Sequence, residues 1–231
     1  GVGGMSFYQK NAPDPLPPFV HTLTQDNISY IVLEGLPELL WLGNLAALEF
    51  HPSLHYVGSD LPCEWMIDLD PSREVEPRIM EAASIVGRVL SSLGLISVPK
   101  TSGATGIQII IPIKPGVTFI ELRKICFFVG SVATEKHPDL FTLERLKKDR
   151  GDKIYFDYLQ HFGGKTLAAP YTPRARPLAT VSTPLTWAEV DKDVAPTDFH
   201  LLNIEERLSR IGDLIEKVPP QPVEDIIRQL K

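Results

Sequence analysis

Cysteine is scarce in this sequence, and long apolar runs are missing. The two cysteines, Cys63 and Cys126, form no C-x-x-C pair, so neither a zinc site nor a disulfide framework is indicated and a reducing compartment is expected. No stretch approaches the roughly 18 apolar residues of a membrane span. The first ten residues also lack the apolar core of a signal peptide. We therefore expect a cytoplasmic protein that has no membrane partner.

Positive charge is also in short supply overall. The formal net charge is −6, while 43% hydrophobic and 23% charged residues are typical of a globular protein. This balance argues against wholesale wrapping of nucleic acid, which favours a basic face. The basic residues are nevertheless concentrated in one part of the chain, either as a solvated surface or as a binding site: Arg145, Lys147, Lys148, Arg150, Lys153, Lys165, Arg174 and Arg176.

Hydrophobic periodicity predicts strands that alternate with helices. Strands are expected over 28–33, 64–70, 106–113 and 153–159. Helices are expected over 36–50, running into a short strand, over 75–93, ended by Gly94, and over 118–135. The run at 106–113 is typical of a strand buried on both faces. This order predicts an α/β protein with a layered sheet, and the 21 prolines mark extended connections.

The stretch MIDLDPS places Asp68 and Asp70 on one face of a strand. Alternating side chains leave their carboxylates about 5–7 Å apart. Such a pair raises one pKa or requires a cation, which suits Mg²⁺ or Mn²⁺. The alternative is a pair of exposed acids at the end of a strand, one of which caps the following helix.

A third acid, Asp157, lies in the apolar and aromatic strand KIYFDYL. A carboxylate there is costly unless it is paired, exposed or bound to a metal. Three strand acids suggest a two-metal site for phosphoryl or nucleotidyl transfer.

The loop KTSGATGIQ enters a buried strand at residues 100–108. Around Ser102, its backbone N–H groups are able to face a phosphate. It lacks the G-x-x-x-x-G-K-[ST] pattern of a P-loop, and by itself it is equally compatible with a simple turn.

Several motifs in order resemble the polymerase domain of bacterial ligase D, in the archaeo-eukaryotic primase superfamily. They are FYQKNAP, IDLDPS, LGLISVPKTSGATG, DRGDKIYFDYLQ, GGKTLAAPYTPRARP and ATVSTPLTWAEV, and the resemblance covers roughly residues 4–215. It implies an α+β fold with mixed sheets flanked by helices and an RRM-like catalytic core. We expect a single domain over 1–231, with an N-terminal part at 1–60, a catalytic core at 61–190 and a C-terminal helical region at 191–231.

The resemblance also implies roles for individual residues. Asp68, Asp70 and Asp157 correspond to the catalytic ligands of two Mn²⁺ or Mg²⁺ ions. Phe7 and Tyr8 correspond to an aromatic pair that stacks on the template, and Lys10 to a contact with a template phosphate; without the resemblance the pair reads as a core anchor. The positions that match nucleotide contacts are His51, Ser102, Lys147, Arg150, Gln160, Arg174 and Arg176. His51 alone is otherwise more typical of a packed or capping residue.

The sequence departs from the family pattern at four places. Thr105 stands where the family commonly has lysine, Gln108 where it has histidine, and His161 where it has asparagine. The missing lysine predicts a lower nucleotide affinity or rate. Family members also carry an upstream segment with lysines that grip a 5′-phosphate, and whether the full protein has that segment stays open.

Two functions from different classes are compatible with these observations. The first is a template-directed nucleotidyltransferase of non-homologous end joining that fills gaps at DNA ends and prefers ribonucleotides. The second is a DNA-end-binding or scaffolding module with weakened catalysis. A metal-dependent nuclease is disfavoured because no water-activating base is evident. The expected partners are DNA ends with 3′ overhangs or gaps, ribonucleoside triphosphates, the end-binding protein Ku and a ligase module, in a nucleoid-associated location.

Overall fold

A computed structural model describes residues 4–5 and 7–229. The strands are β1 (Thr22–Gln25), β2 (Ile28–Ile31), β3 (Glu64–Pro71), β4 (Val98–Thr101), β5 (Ile107–Pro112), β6 (Phe141–Thr142) and β7 (Ile154–Asp157). The helices are α1 (Leu36–Asn44), α2 (Ile79–Ser92), α3 (Phe119–Lys136), α4 (Lys147–Arg150), α5 (Trp187–Val190), α6 (Ile204–Ile211) and α7 (Glu224–Gln229). The chain therefore has the mixed α and β content that the sequence predicts.

Five strands form a central sheet in the order β4-β5-β3-β7-β6. All neighbours are antiparallel except β6 and β7, which run parallel. β1 and β2 form a separate hairpin, whose tight turn places Asp26 and Asn27 at positive φ, as a two-residue hairpin turn requires. The architecture is thus two sheets with flanking helices.

One face of the central sheet packs against α2 and α3. Alternation along β3 directs Trp65, Ile67 and Leu69 into this main core, where each is fully buried. Ile107 and Ile109 of β5 join them. Thr118 and Glu121 form a capping box that begins α3, which explains why this helix starts where the sequence predicts.

The opposite face of the same sheet is polar at its centre. Met66 and Ile110 on this face contribute to a smaller apolar cluster with Leu54 and Leu167. Beyond that cluster the side chains are acids, an amide and a lysine. The sequence period of two thus separates an apolar face from a polar face on the same strands.

Several element predictions need correction at their ends. The helix expected over 36–50 ends at Asn44, and the expected short strand is replaced by a single bridge between Ser53 and Thr166. The helix expected over 75–93 begins at Ile79. The strand expected over 153–159 ends at Asp157, whose carboxylate accepts the N–H of Leu159 and turns the chain into a 3₁₀ turn over Tyr158–Gln160.

Cysteine pairing and helix length are two further features of the described residues. Cys63 and Cys126 are both free thiols. Within the described part of the chain, no helix combines the length and apolar character that crossing a membrane requires. The expected domain bounds stay a prediction, and their outermost residues at both ends lie outside the described residues.

Candidate active site

Strand register brings two of the predicted acids face to face. Asp68 on β3 lies directly opposite Asp157 on β7. Opposed residues of an antiparallel pair have Cβ atoms about 4.5–5.5 Å apart, so the two carboxylates point from neighbouring strands toward the same space. On its other side Asp68 pairs with Gln108 of β5 and accepts a hydrogen bond from its Nε2 at 3.1 Å. Asp68 therefore lies between a second carboxylate on β7 and a neutral amide on β5.

The surroundings of Asp68 disfavour its charged form. Burial and the nearby charge of Asp157 raise the pKa of Asp68 to about 6, and hydrogen bonds from Gln108 and Gln160 oppose that increase. The Gln160 Oε1 atom is buried and has no hydrogen-bond partner among the described residues. Two repelling carboxylates beside an unpartnered oxygen are an arrangement that a divalent cation stabilises.

The third acid, Asp70, is held by an arginine. Its Oδ2 accepts a hydrogen bond of 2.8 Å from Nη1 of Arg150, a side chain that is only 6% exposed. Arg150 also donates to the carbonyls of Glu144 and Arg145 and lies over the Tyr155 ring. The guanidinium predicted to contact a triphosphate is therefore engaged with Asp70 and the backbone in this structure.

Within the described ranges 4–5 and 7–229, no three acidic, histidine or cysteine side chains converge as a ready metal site. The reason is local: Asp68 and Asp157 face each other, whereas Arg150 engages Asp70. In a three-carboxylate site, Asp70 would contribute its Oδ1 atom or release Arg150 from Oδ2.

The loop between β4 and β5 packs closely against strand β3 and against the Arg174 side chain. Ser102 Oγ accepts the N–H groups of Ala104 and Gly106 at 3.1 Å each. A Cβ at Gly106 would lie 2.5 Å from the Leu69 carbonyl oxygen, and Gly103 has φ +68° beneath the Arg174 side chain. Both positions require glycine. The loop thus forms a fixed wall beside the strand that carries Asp68 and Asp70.

A cavity of about 330 Å³ lies between this loop and the acidic strand. The side chains predicted from sequence that line it are Asp68, Asp70, Ser102, Lys147, Arg174 and Arg176. Thr105 and Gln108, the two departures from the family loop, line it as well. Arg176 also donates to Glu74 at 2.8 Å. Arg73 lines the cavity too, so carboxylates and four cationic side chains share one cavity.

Glu49 organises a second part of the site and was missed by the sequence analysis. Its Oε2 lies 3.2 Å from His51 Nε2 and accepts from Arg174 Nε at 3.0 Å. Its Oε1 accepts the Ala175 N–H at 2.6 Å. Although burial opposes the change, these hydrogen bonds lower the pKa of Glu49. The carboxylate thus ties His51 to the arginine that lines the cavity.

The N-terminal aromatic pair is exposed. Phe7 and Tyr8 are 80% and 61% exposed, which rules out the alternative that they anchor the core. Tyr8 contacts the edge of the His51 ring at a centroid distance of 5.6 Å, and its hydroxyl bonds to Thr166. Lys10 is also exposed. The pair is therefore an accessible surface that adjoins His51.

His161 and Gln108, two of the departures from the family pattern, each make hydrogen bonds in the interior. His161 is fully buried, and its Nε2 accepts the Met66 N–H at 3.3 Å on β3. Gln108 bonds to Asp68 at one end and to Lys100 at the other. Lys100 was not singled out from the sequence, because a lysine between a predicted helix and a loop carries no signal of burial.

Comparison with known proteins finds relatives along the whole chain. The chain matches the family described as LigD, primase-polymerase domain over residues 1–215. It is 40% identical over 237 residues to the bifunctional non-homologous end joining protein LigD of Bacillus subtilis, covering 100% of this chain and 39% of that protein. It is 30% identical over 240 residues to the multifunctional non-homologous end joining DNA repair protein LigD of Mycobacterium tuberculosis, covering 97% and 32%.

A solved structure is similar along most of the chain. The polymerase domain from Mycobacterium tuberculosis ligase D in complex with DNA superimposes with a TM-score of 0.85 at 28% identity, over 94% of this chain and 80% of that chain. The chain spans about two fifths of the Bacillus subtilis relative and a third of the Mycobacterium tuberculosis one. The family match and the 40% identity establish that the chain belongs to the LigD primase-polymerase domain family.

Proposed function

We propose that this chain is a template-directed nucleotidyltransferase that fills gaps at DNA ends during non-homologous end joining. The observation that carries the proposal is the direct opposition of Asp68 and Asp157 beside a cavity with four cationic side chains. A polymerase needs carboxylates where the 3′-hydroxyl attacks and positive charge where the triphosphate lies. Both requirements are met within one pocket.

Asp68, Asp70 and Asp157 are the residues we assign to two divalent ions, Mn²⁺ or Mg²⁺. The repulsion that raises the pKa of Asp68 and the unpartnered Gln160 oxygen both fit bound cations. When bound, the ions supply a lowered pKa for the attacking hydroxyl and neutralisation of the triphosphate. Asp70 would contribute through its Oδ1 atom, or through both oxygens once Arg150 releases Oδ2.

The cavity suits the triphosphate of a ribonucleotide. Its volume of about 330 Å³ lies at the lower end of small-molecule sites. Lys147, Arg174 and Arg176 supply charge, and guanidinium groups bind phosphate oxygens in pairs. Arg150 has its guanidinium committed to Asp70 and two carbonyls, so it acts on phosphate only after that pair opens.

His51 and the aromatic pair form a second group of candidate contacts, for the incoming nucleotide and the template. Glu49 fixes the His51 ring from one side, and Tyr8 contacts it from another. Exposed aromatic rings stack on bases without regard to sequence. We therefore assign Phe7 and Tyr8 to the template, Lys10 to its backbone, and His51 to the nucleotide.

The experiment that tests the proposal is extension of a gapped primer-template by the purified chain with Mn²⁺ and each of the four ribonucleotides. Templated addition of the complementary ribonucleotide is expected, with deoxyribonucleotides used less well. Addition that ignores the template, or no addition at any Mn²⁺ concentration, would contradict the assignment.

The second candidate is a DNA-end-binding module with weakened catalysis, and Thr105 is the observation that favours it. Thr105 lines the cavity at the position where a further cation is expected. Binding to gapped DNA without any primer extension would support this candidate.

The polymerase proposal has four further parts: the partner Ku, a ligase module, a nucleoid-associated location and a single domain over 1–231. Pull-down with purified Ku tests the first of these.

A further inference from the structure

A row of polar side chains crosses four strands of the central sheet. Asp157 on β7 lies opposite Asp68 on β3, Asp68 lies opposite Gln108 on β5, and Gln108 lies opposite Lys100 on β4. The row begins with two carboxylates and ends with an ammonium group. Three of its members have roles in the proposed site or border the cavity, whereas Lys100 has none so far.

Lys100 is fully buried and does not reach the cavity. An ammonium group has three N–H donors, and the Lys100 Nζ uses them on three oxygens. These are Gln108 Oε1 at 2.5 Å, Ser182 Oγ at 2.5 Å and the Ala168 carbonyl at 3.1 Å. Retaining a lysine in the interior is costly, since burial lowers its pKa to about 7. A purely structural contact between β4 and the 168–182 segment does not need a charged group.

The contact with Gln108 fixes the orientation of an amide. Because the ammonium form of Lys100 is only a donor, the oxygen of the Gln108 amide must face it, and the NH₂ group must then face Asp68. The Gln108 Nε2 atom does donate to Asp68 Oδ1 at 3.1 Å. Without the lysine, rotation of the amide by 180° would direct an oxygen at a carboxylate.

We propose that Lys100 is a positioning residue for the metal-binding carboxylate of Asp68 and acts through Gln108. The ammonium group holds the amide in one orientation, and the amide holds the Asp68 carboxylate toward Asp157. Groups that orient a metal ligand in this way typically change metal affinity or activity by about 10–100-fold when removed. The role of Lys100 rests on the proposed metal site at Asp68.

The relay requires a neutral group with one acceptor and one donor at position 108. A neutral imidazole offers the same pair, because one ring nitrogen accepts and the other donates. Glutamine and neutral histidine at position 108 are therefore interchangeable in one respect: each accepts a hydrogen bond from Lys100 and donates one to Asp68. Methionine, of similar length, removes both hydrogen bonds.

Mn²⁺ binding to the full chain, measured by titration calorimetry without nucleotide or DNA, tests the relay. Lys100→Met and Gln108→Met are each expected to weaken Mn²⁺ binding about tenfold, while Gln108→His is expected to stay within about threefold of wild type. Ser182→Ala is the matched control, because it removes an equally short bond of the same lysine that does not lead to Asp68. It is expected to leave Mn²⁺ affinity unchanged.

Primer extension by the same variants separates positioning from general destabilisation. Lys100→Met is expected to lower kcat about tenfold and to leave KM for the ribonucleotide nearly unchanged, since Lys100 does not line the cavity. If Lys100→Met does not fold, the contrast between Gln108→Met and Gln108→His carries the same test.

The outcomes distinguish the relay from the polymerase proposal. Lys100→Met that binds Mn²⁺ as Ser182→Ala does, or Gln108→Met that binds like wild type, would overturn the relay. If the variants show the expected differences in Mn²⁺ affinity but the wild-type chain does not extend a primer, the polymerase function is overturned and the relay is supported. Wild-type chain that binds no Mn²⁺ would overturn the relay together with the metal site.

Discussion

The two faces of strand β3 have opposite requirements, although their residues alternate along one chain. Trp65, Ile67 and Leu69 are fully buried against the helices. Asp68 and Asp70 project the other way, into the cavity. The first face gains stability from apolar burial, whereas the second holds like charges together and loses it. A single strand therefore provides both the core and a destabilised site.

This contrast indicates where substitutions separate stability from activity. Neighbouring residues on β3 belong to different faces, so a change at one is expected to affect a different property from a change at the next. Asp68 and Ile67 are such a pair of neighbours on β3.

Asp68→Asn is expected to lower extension on the order of a thousandfold, because removing a carboxylate from a charge-stabilising site has effects of that size. The same change should raise the free energy of unfolding at pH 7 by up to about 3 kcal/mol, since it removes a carboxylate with a raised pKa. Denaturant unfolding and primer extension measure the two effects. Retained activity would remove Asp68 from the site.

Ile67→Ala is the matched change on the other face. It is expected to lower the free energy of unfolding by about 2–5 kcal/mol through loss of buried area and a residual cavity. Extension per folded molecule should stay within about threefold of wild type, because Ile67 points away from the cavity. A variant of unchanged stability that had lost activity would reverse the assignment of the two faces.

Thr105→Lys adds a cation to the polar side. A charge-assisted bond to phosphate is worth roughly 1.5–3 kcal/mol, so the apparent affinity for ribonucleotide should tighten about ten- to a hundredfold. The rate at saturation should change little, and the gain should shrink at high salt. Unchanged affinity at low salt in a folded variant would show that the loop does not face the triphosphate.

At neutral pH His161 is expected to have the smallest effect, because its contribution is a pH dependence of stability that develops below about pH 6.5. Burial, reinforced by the charge of Arg123, lowers the pKa of His161 to about 3. The unfolded chain therefore takes up a proton below about pH 6.5 that the folded chain refuses, so stability falls as pH falls. The slope attributable to this group approaches about 1.4 kcal/mol per pH unit between pH 6 and 4.

His161→Asn keeps an acceptor for the Met66 N–H and should remove that part of the slope. Denaturant midpoints at several pH values compare the two proteins. Parallel pH profiles would show that His161 is protonated in the folded chain.

The local pattern of the sequence predicts the central strands and α3 well, because burial repeats along the chain. It also predicts Asp68, Asp70 and Asp157 as strand acids. Asp68 and Asp157 are 89 residues apart in sequence, and their opposition depends on the register between their two strands. Periodicity within one segment does not determine that register. The three acids were grouped because each lies on an apolar strand, and the resemblance to a known family supported that grouping.

Glu49 and Lys100 were missed for a different reason. Each is defined by partners distant in sequence: Arg174 for Glu49, and Ser182 for Lys100. Arg150 was predicted as a nucleotide contact because its position in a basic cluster matches that role in the similar family, yet its guanidinium engages Asp70 across the sheet. A charge run shows where cations are available and does not show which of them a neighbouring strand will occupy.

The most direct test of the contrast between the two faces is the change in melting temperature when Mn²⁺ is added. If Asp68 and Asp157 repel each other and bind the cation, millimolar Mn²⁺ should raise the Tm of the wild-type chain by several degrees, since a ligand that binds only the folded state stabilises it. Ile67→Ala should show the same increase from a lower starting Tm, and Asp68→Asn should show almost none. An equal increase in wild type and Asp68→Asn, or no increase in either, would contradict the assignment of a metal site to the polar face of the sheet.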